Sequence, residues 1–420
     1  MPERGVDVFV EIGGQALLAG QLWSHRRGSV ESATFRYAPD YIAYEDSYAL
    51  DPTLPLREGP FHTSNGRELF SAFTDSAPDR WGRRLIDRDE RHRIEQEGGA
   101  ARSFGQIDYL LHARDDMRQG ALRFRDPETG AFLADRHDGV PYFLQLSELL
   151  TAAEHLERNQ ASIEEVRVLL RGGSSLGGAR PKAHVRHQNG EVGIAKFPSP
   201  ANDAWDVIRW EAVALELARR SGITVPGFEV RVLDRKPVLI VDRFDRYGEL
   251  RIGYVSAMTL LEARDGDQRS YIEIAEVIED DSAEPTADLQ ELWRRIAFSI
   301  LISNTDDHLR NHGFLRTSTA GWSLSPAFDL NPDPRPGIKY LSTAIEPGVT
   351  IAAIKPLMDV APYFRLDEDQ AQGVLSKVAS ATSQWREVAE QFELSKDAIA
   401  EMALAFEHEQ AAIAASALTT

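Results

Sequence analysis

The sequence contains no cysteine among its 420 residues. This absence excludes disulfide bonds, zinc sites built on thiolates and a cysteine nucleophile. Basic residues are also in deficit, because 47 lysines and arginines stand against 66 aspartates and glutamates, a formal net charge of −19. A field of that sign opposes non-specific attachment to phosphate backbones. Any contact with DNA would therefore need a basic partner or a local basic patch.

Long apolar runs are missing as well. The sequence has no uninterrupted apolar stretch of the about 18 residues that suggest a membrane-spanning helix, and its first residues carry no apolar segment of signal-peptide length. We therefore expect a cytoplasmic protein that makes no membrane contact. A hydrophobic content of 42% over 420 residues is ample for two or three domains with buried cores.

The spacing of apolar residues predicts an organisation in three parts. Alternating segments at about 8–12, 16–23 and 32–37 predict an antiparallel β start, and helices follow at about 79–96 and 104–113. The interpretation gives these domain ranges: 1–145, a β-rich start with helices; 146–245, a nucleotide-binding part with a glycine loop; and 246–420, a helical catalytic lobe.

The second and third parts contain several distinctive segments. Residues 172–178 are too rich in glycine for a helix or a central strand, and Asn189-Gly190 predicts a tight hairpin between two strands. A helix is predicted over about 205–220. The acidic stretch 272–289 suggests a solvated loop or a loose connection between lobes, and apolar residues from Leu289 to Ile300 then recur at helical spacing.

That buried helix leads into a dense polar segment, Asn304-Thr-Asp-Asp-His-Leu-Arg-Asn311. Phosphoryl transfer to a hydroxyl needs a carboxylate to orient the hydroxyl, and an amide oxygen and a second carboxylate to hold Mg²⁺. Asp306, Asn311 and Asp329 can supply these three groups. The spacing of Asp306 and Asn311 equals that of the protein-kinase catalytic loop, although alone it is a weak signal.

Residues upstream strengthen the kinase interpretation. Lys196 lies on a predicted strand ahead of a helix that bears Glu211, the order in which kinases place the phosphate-binding lysine and its carboxylate partner. The glycine loop 172–178 precedes both, although it matches neither the ATPase nor the kinase glycine pattern. A metal-dependent hydrolase is the main alternative, because the polar segment offers further metal-ligand types. The hydrolase cluster would be Asp306, Asp307, His308 and His312.

Five motifs occur together and in order: Ser174–Lys182, Ala195–Phe197, Val241–Arg246, Asn304–Asn311 and Ala327–Leu330. With them the sequence resembles the HipA family, the kinase toxins of bacterial type II toxin–antitoxin systems. Gly20-Gln-Leu-Trp23 and Leu54-Pro-Leu56 extend the likeness to the N-terminal part, so that it covers roughly residues 10–400. The resemblance implies an α+β fold with a protein-kinase-like two-lobe architecture, a mixed N-terminal subdomain and a mostly helical C-terminal lobe.

The resemblance also implies roles for individual residues. Asp306 would be the catalytic base, Asn311 and Asp329 the Mg²⁺ ligands, and Lys196 a contact to the nucleotide phosphates, with Glu211 as the candidate lysine partner. Further nucleotide-binding residues would be Ser175, Leu176, Gly177, Gly178, Ala179, Lys182, Asp242, Arg243, Phe244 and His308. Ser175 looks like the serine at which family members phosphorylate themselves, although the adjacent Ser174 carries the same hydroxyl.

Cofactors and partners follow from the same resemblance. The family uses ATP and Mg²⁺, phosphorylates protein substrates such as an aminoacyl-tRNA synthetase, and is neutralised by a small DNA-binding antitoxin of the HipB type. DNA would then be reached only through the antitoxin, which agrees with the negative net charge. A non-catalytic relative that only binds an antitoxin is the second alternative.

Overall fold

A computed structural model describes residues 4–28, 30–64, 66–100, 103–134, 145–173, 180–187, 190–200 and 202–416. Its contacts divide the chain into two compact units. The first unit comprises Met1–Asn202, Leu233–Val255 and Leu315–Thr319, and the second comprises Asp203–Val232, Ser256–Phe314 and Ala320–Thr420. The three domain ranges taken from the sequence stay a prediction.

The first unit begins with an antiparallel sheet. Its strands are β1 (Arg4–Ile12), β2 (Gln15–Arg27), β3 (Val30–Tyr37), β4 (Pro60–His62) and β5 (Leu122–Arg125), in the order β4-β3-β2-β1-β5. The alternation of apolar residues places one face of β3 in the core, where the Phe35 ring packs edge-on against Phe73. The antiparallel start predicted from the sequence is confirmed.

Helices of the first unit pack with a second group of strands. The helices are α1 (Pro39–Ile42), α2 (Ser71–Asp75), α3 (Arg80–Glu97), α4 (Gln106–His112), α5 (Leu146–Glu157) and α6 (Ile163–Arg171). The strands are β6 (Lys182–Arg186), β7 (Val192–Lys196) and β9 (Lys236–Asp242), antiparallel in that order. Trp81 of α3 and Leu149 of α5 share one apolar core with Ala195 of β7. Two short strands, β10 (Arg246–Tyr247) and β11 (Leu250–Arg251), follow as a hairpin ahead of β12 (Gly253–Ser256).

The second unit is mostly helical. Its helices are α7 (Val207–Arg220), α8 (Ala257–Leu260), α9 (Tyr271–Asp281), α10 (Pro285–Leu301), α11 (Ile354–Asp359), α12 (Glu368–Thr382), α13 (Trp385–Gln391), α14 (Lys396–Glu401), α15 (Ala403–Phe406) and α16 (Glu409–Ser416). Its strands are β8 (Phe228–Leu233), all but the last residue of which belongs to this unit, and β14 (Gly321–Leu324), whereas most of β13 (Gly313–Ser318) belongs to the first unit. In the described part of the chain, no helix combines the length and apolar character needed to cross a membrane.

The prediction of a solvated loop over 272–289 is wrong. Residues 271–281 form α9, whose Ser270 hydroxyl caps the Glu273 N–H while the Glu273 side chain accepts from the Ser270 N–H. Tyr271 and Ile278 are among five residues of α9 that are buried. The acidic residues occupy the outer face of an amphipathic helix, and their density concealed the apolar spacing beneath.

Candidate active site

The polar segment 304–311 starts where α10 ends, at a turn that the backbone defines closely. Ser303 adopts a left-handed conformation with φ of +55°. The Ser303 N–H donates to the Ile300 carbonyl at 3.2 Å, and the Asn304 N–H donates to the Ser299 carbonyl at 2.8 Å. This pair of bonds is the Schellman motif that terminates many helices. The predicted buried helix is confirmed, and its end sets the start of the polar segment.

Two adjacent carboxylates of the segment have opposite environments. The Asp306 side chain is exposed, whereas Asp307 is buried. The Asp307 carboxylate accepts the Tyr271 hydroxyl at 2.6 Å and the Ser299 hydroxyl at 3.2 Å, and it lies 3.1 Å from Nε2 of His312. Burial by itself would raise the pKa of Asp307, but His312 and the hydroxyl donors hold that pKa below its usual value. Asp307 therefore anchors the segment, and Asp306 remains to face solvent.

A neighbouring stretch of backbone braces the residues on both sides of Asp306. The Ser342 N–H and hydroxyl both donate to the Thr305 carbonyl, at 3.1 and 2.9 Å. The Thr343 hydroxyl donates to the Asp307 carbonyl at 2.8 Å. With the backbone held on either side, the Asp306 side chain projects from a restrained position, as a group that must meet a substrate hydroxyl requires.

Asn311 and Asp329 lie at the same site. Asn311 is buried, and its amide nitrogen donates to the Asp306 backbone carbonyl at 3.1 Å, which turns its amide oxygen toward other partners. The Asp306 carboxylate reaches the surface, but surrounding protein atoms partly desolvate it and raise its pKa; His308 opposes this rise, and the negative charge of Asp329 adds to it. Two carboxylates that affect each other in this way are close in space. The structure thus brings together the three residues that the sequence singled out.

The oxygen atoms of this site fit a magnesium ion. Mg²⁺ prefers carboxylate, amide and water oxygens. Beside Asp329 lies Asn331, whose amide nitrogen is 3.5 Å from Oδ1 of Asp329. The amide oxygen of Asn331 is buried and accepts no hydrogen bond within the described residues. Among those same residues no group of three or more His, Cys, Asp or Glu side chains could hold a metal ion, so an ion here would take the amide oxygen of Asn311 together with the Asp329 carboxylate.

The geometry separates the residues of the alternative hydrolase cluster. Asp307 and His312 pair with each other inside the protein, and the His312 ring packs edge-on against Tyr271. His308 precedes a single 3₁₀ turn at Leu309–Asn311, so His308 and His312 do not share one face of an α-helix. Asp306 faces solvent, whereas Asp307 does not. The four side chains are therefore divided between an interior pair and an outer pair.

The first unit contains the lysines predicted to bind nucleotide. Lys196 is half-buried at the end of β7, directly opposite Lys182 of β6. Lys182 is buried, and its Nζ lies 3.0 Å from Oδ2 of Asp79. Burial outweighs the lysine charge and raises the pKa of Asp79. The Lys182 amine is thus held by a carboxylate of α3's N-terminus, which the sequence interpretation did not foresee.

Arg243 is the most heavily bonded of the predicted hinge residues. Its guanidinium donates to both carboxylate oxygens of Asp245, at 2.8 and 2.6 Å, and to the Met117 carbonyl at 2.9 Å. It also lies 3.0 Å from Nε2 of His184. Burial lowers the pKa of His184 well below its usual value, and Arg243 lowers it further. The Arg243 side chain therefore has a structural role, and its backbone N–H donates to the Val192 carbonyl at 3.2 Å. The ligand contact predicted for the backbone of 242–244 stays a prediction.

The structure describes only some of the remaining predicted residues. Ser174, Ser175, Leu176, Gly177, Gly178 and Ala179 lie outside the described residues. Asp242 is exposed and Phe244 half-buried in the first unit, whereas Glu211 is buried on α7 of the second unit. His308 is half-buried beside Asp306. Their roles stay predictions.

Three residues that sequence reasoning missed complete the site: Tyr271, Ser299 and Thr343. Ser299 is a polar residue within an apolar helical run, a signal that could have been noticed. Tyr271 begins a helix that was taken for a loop. Thr343 comes from a stretch with no periodic pattern, so only the folded chain reveals its contact with the Asp307 carbonyl.

Two family models match the chain. The model described as HipA N-terminal domain matches residues 10–109, and the model described as HipA-like C-terminal domain matches residues 174–411, more than half of the chain. Two curated relatives come from Sinorhizobium fredii (strain NBRC 101917 / NGR234). "Putative kinase Y4mE" is 23% identical over 334 residues, 74% of this chain and 74% of that protein. "Putative kinase Y4dM" is 29% identical over 152 residues, 33% of this chain and 36% of that protein.

A solved structure shows the same fold. It is a chain of the "Shewanella oneidensis MR-1 Toxin Antitoxin System HipA, HipB and its operator DNA complex", with a TM-score of 0.63 and 17% sequence identity. The match covers 98% of this chain and 96% of that one. At this identity the likeness concerns the fold alone. The α+β, kinase-like two-lobe class expected from the sequence is confirmed.

Proposed function

This chain belongs to the HipA family, and we propose that it is an ATP- and Mg²⁺-dependent serine/threonine protein kinase acting as the toxin of a toxin–antitoxin module. The observation that carries this proposal is the convergence of Asp306, Asn311 and Asp329 at the end of α10. The Asp306 carboxylate faces solvent, the Asn311 amide nitrogen bonds to the Asp306 backbone, and the charge of Asp329 acts on the Asp306 carboxylate. Phosphoryl transfer is catalysed mainly by positioning and electrostatic stabilisation, and these three groups can supply both.

In the proposed reaction Asp306 accepts a hydrogen bond from the hydroxyl of a serine or threonine. As the hydroxyl oxygen bonds to the γ-phosphorus of ATP, the bond from that phosphorus to its bridging oxygen breaks, ADP leaves and the proton passes to Asp306. The raised pKa of Asp306 suits a group that receives a proton. Asn311 and Asp329 would hold Mg²⁺, which neutralises phosphate charge when bound.

The first unit would bind the nucleotide. We assign the phosphate contact to Lys196 and the adenine contact to the backbone at 242–244, with loop residues 174–179 over the phosphates. Lys182 follows this loop closely in sequence, and its bond to Asp79 supports a role in holding the end of the loop. Glu211 is the candidate partner of Lys196, and its burial on α7 supports a fixed position.

The test of the kinase proposal uses labelled ATP with Mg²⁺ and bacterial protein as acceptor. The wild type should bind ATP and label a protein. Asp306→Asn should reduce transfer by about 10²–10⁴-fold, the usual contribution of general acid–base catalysis, and should keep ATP binding. Asp359→Asn is the matched control, because Asp359 is an exposed aspartate that pairs with Lys355 on the same helix, α11, and it should behave as wild type.

Other outcomes separate the alternatives. Release of phosphate from a phosphomonoester without ATP, abolished by Asp306→Asn, would favour the metal-dependent phosphohydrolase. A wild-type chain that neither binds nucleotide nor labels any protein, itself included, would contradict the kinase proposal and favour a non-catalytic relative. Mass spectrometry of labelled protein would identify the acceptor, for which an aminoacyl-tRNA synthetase is the first candidate.

Autophosphorylation has its own test. We propose Ser175 as the modified serine, so wild type and Ser174→Ala should both gain one phosphate in the loop peptide, whereas Ser175→Ala should not. Phosphate on the Ser175→Ala loop peptide would transfer the assignment to Ser174. The two variants differ by one position only, so they control for each other.

The partner would be a small HipB-like antitoxin. The Shewanella oneidensis structure that shares this fold is a complex of HipA, HipB and operator DNA, and the charge of −19 on this chain suits a basic DNA-binding partner. A gel-shift assay with upstream DNA should show no shift with this chain alone. Adding the product of an adjacent helix-turn-helix reading frame should shift the DNA, and this chain should shift that complex further. A shift by this chain alone would contradict indirect DNA contact.

A further inference from the structure

Three large apolar side chains are exposed together close to the candidate active site. Ile338 is 69% exposed, Tyr340 57% and Ile351 40%. Single exposed apolar residues are common on protein surfaces, whereas a contiguous group marks a candidate binding site. We call these three residues the apolar patch. Whether the patch can bind a ligand depends on whether the backbone places its members on one face.

The backbone places them together. Tyr340 and Ile351 face each other in an antiparallel bridge. The bonds of this bridge are made by their neighbours, Leu341 N–H to the Thr350 carbonyl at 2.7 Å and Ala352 N–H to the Lys339 carbonyl at 3.0 Å. Such a non-hydrogen-bonded pair brings its two side chains close together on one face. Ile338 lies two residues before Tyr340, just after a bend at Gly337, and the bridge itself places Tyr340 and Ile351 on one face.

The same geometry leaves a strand edge open. In a non-hydrogen-bonded pair the N–H and C=O of each residue point away from the partner strand. Within the part of the chain that the structure describes, the Tyr340 N–H and C=O bond to no other backbone group. Alternate residues of a strand present these groups on the same edge. Tyr340 therefore offers one donor and one acceptor to an added strand.

This open edge continues onto the catalytic segment. Ser342, two residues after Tyr340 and at a bend of the chain, donates its N–H to the Thr305 carbonyl at 3.1 Å. Two residues of extended chain span about 7 Å. A peptide backbone paired with Tyr340 would thus pass within about two residues of Thr305 and of the neighbouring Asp306. The edge therefore joins an exposed apolar face directly to the proposed base.

We propose that the apolar patch and the Tyr340 edge bind the phosphorylated segment of the protein substrate as an added β-strand. The main chain of that segment pairs with Tyr340, an apolar side chain of the segment lies on the patch, and a serine or threonine two or three residues away meets Asp306. The substrate class is thus an extended segment with an apolar residue near its hydroxyl. The proposal rests on the kinase function and adds the means of substrate choice. Strand addition draws affinity from main-chain bonds and specificity from alternate side chains.

Peptide libraries with a central serine or threonine test the proposal. In the wild type, one position two or three residues from the hydroxyl should prefer apolar side chains over Asp, Lys or Gly by about tenfold, the discrimination that a hydrophobic contact provides. Tyr340→Ser should reduce this preference toward unity by raising KM for the preferred peptides. ATP hydrolysis without peptide should stay at the wild-type rate, because Tyr340 is not part of the phosphate or metal site.

Two controls make the result specific. Tyr363→Ser removes another exposed tyrosine of the second unit, 60% exposed, and should keep the wild-type preference. N-methylation of the preferred peptide at the residue that pairs with Tyr340 should lower its phosphorylation as much as loss of the apolar side chain does. Methylation of the next residue should have little effect on phosphorylation. Sensitivity to methylation at alternate positions distinguishes strand pairing from a purely apolar contact.

The outcomes separate this proposal from the kinase function. If the wild type neither binds ATP nor labels any peptide, the kinase function fails and the docking proposal fails with it. If the wild type labels peptides without an apolar preference, or Tyr340→Ser keeps that preference, only the docking proposal is overturned. If Tyr340→Ser changes the sedimentation of the chain but not its peptide choice, the patch is a self-association surface and the proposal is wrong.

Discussion

Asp306 and Asp307 are neighbours in the sequence, but we expect substitution by asparagine to lower the stability of the fold at Asp307 only. Asp307→Asn keeps the size of the side chain and one acceptor oxygen but removes the negative charge. The buried partners Tyr271, Ser299 and His312 then face a neutral amide, and its NH₂ group must point at one of them. We expect a marked loss of stability in the second unit, whereas Asp306→Asn should change stability little.

The expected size follows from the contacts. Hydrogen bonds to a charged group contribute about 1.5–3 kcal/mol and neutral ones about 0.5–1.5 kcal/mol. A buried donor left without its partner adds about 1–3 kcal/mol. Because asparagine keeps part of the hydrogen bonding of Asp307, we expect a loss of about 3 kcal/mol. For Asp306→Asn, at an exposed position, we expect a change within about 0.5 kcal/mol.

Urea and thermal unfolding can measure the difference. Five of the seven tryptophans, including the buried Trp293 of α10, lie in the second unit, so intrinsic tryptophan fluorescence reports mainly on that unit. A loss of about 3 kcal/mol should lower Tm by about 6–12 °C in a unit of this size. If Asp307→Asn and Asp306→Asn unfold at the same urea concentration, the assignment of Asp307 as the structural carboxylate is refuted.

The effect of pH provides a second check. The folded pKa of Asp307 lies below its usual value, so its stabilising contribution is present above the unfolded pKa, about 3.9. That contribution is lost as the pH falls through the folded pKa. The stability difference between wild type and Asp307→Asn should therefore be full at about pH 6 and shrink below about pH 4. A difference that grows on acidification would contradict the reasoning.

Three further predictions concern other positions. Asn311→Ala and Asp329→Asn should both raise the Mg²⁺ concentration needed for half-maximal transfer in a metal titration, and an unchanged titration would exclude them as ligands. Ser303→Gly should raise Tm through a gain of about 0.5–1 kcal/mol, because glycine adopts the positive φ of this helix end without strain. Gly20→Ala should destabilise the first unit by about 2 kcal/mol or more, since its Cβ would lie 2.2 Å from a carbonyl oxygen of the adjacent strand; Gly373→Ala, with no atom within 4 Å, is the control and should be neutral or stabilising.

Much of the fold was predictable because its cues are local. Alternating apolar residues and turn dipeptides identified β1 to β3 and the β6–β7 hairpin, and helical spacing identified α3, α7 and α10. The acidic helix α9 was missed because charge density was weighed above apolar period. Residues 271–281 carry both a high density of acidic residues and apolar residues at helical spacing. They form a helix because the apolar residues pack into the interior on one face.

The sequence by itself determined the chemical groups of the site. The order and spacing of Asp306, Asn311 and Asp329, with Lys196 upstream, suffice to indicate phosphoryl transfer, because the short separation from Asp306 to Asn311 is a local property of the chain. The likeness to the HipA family was carried by the same motifs, and the family models agree with it.

Only the tertiary structure decided which of the adjacent carboxylates of Asp306 and Asp307 is buried and which reaches solvent. The spacing to Asn311 pointed to Asp306 as the proposed base, and the environments of the two side chains separate because Tyr271, Ser299 and His312 converge on Asp307 from distant positions and bury it. The apolar patch likewise depends on a bridge between Tyr340 and Ile351 that no periodic pattern predicts. Contacts between residues far apart in sequence arise from packing, and packing assigns a direction to each side chain that local spacing leaves open.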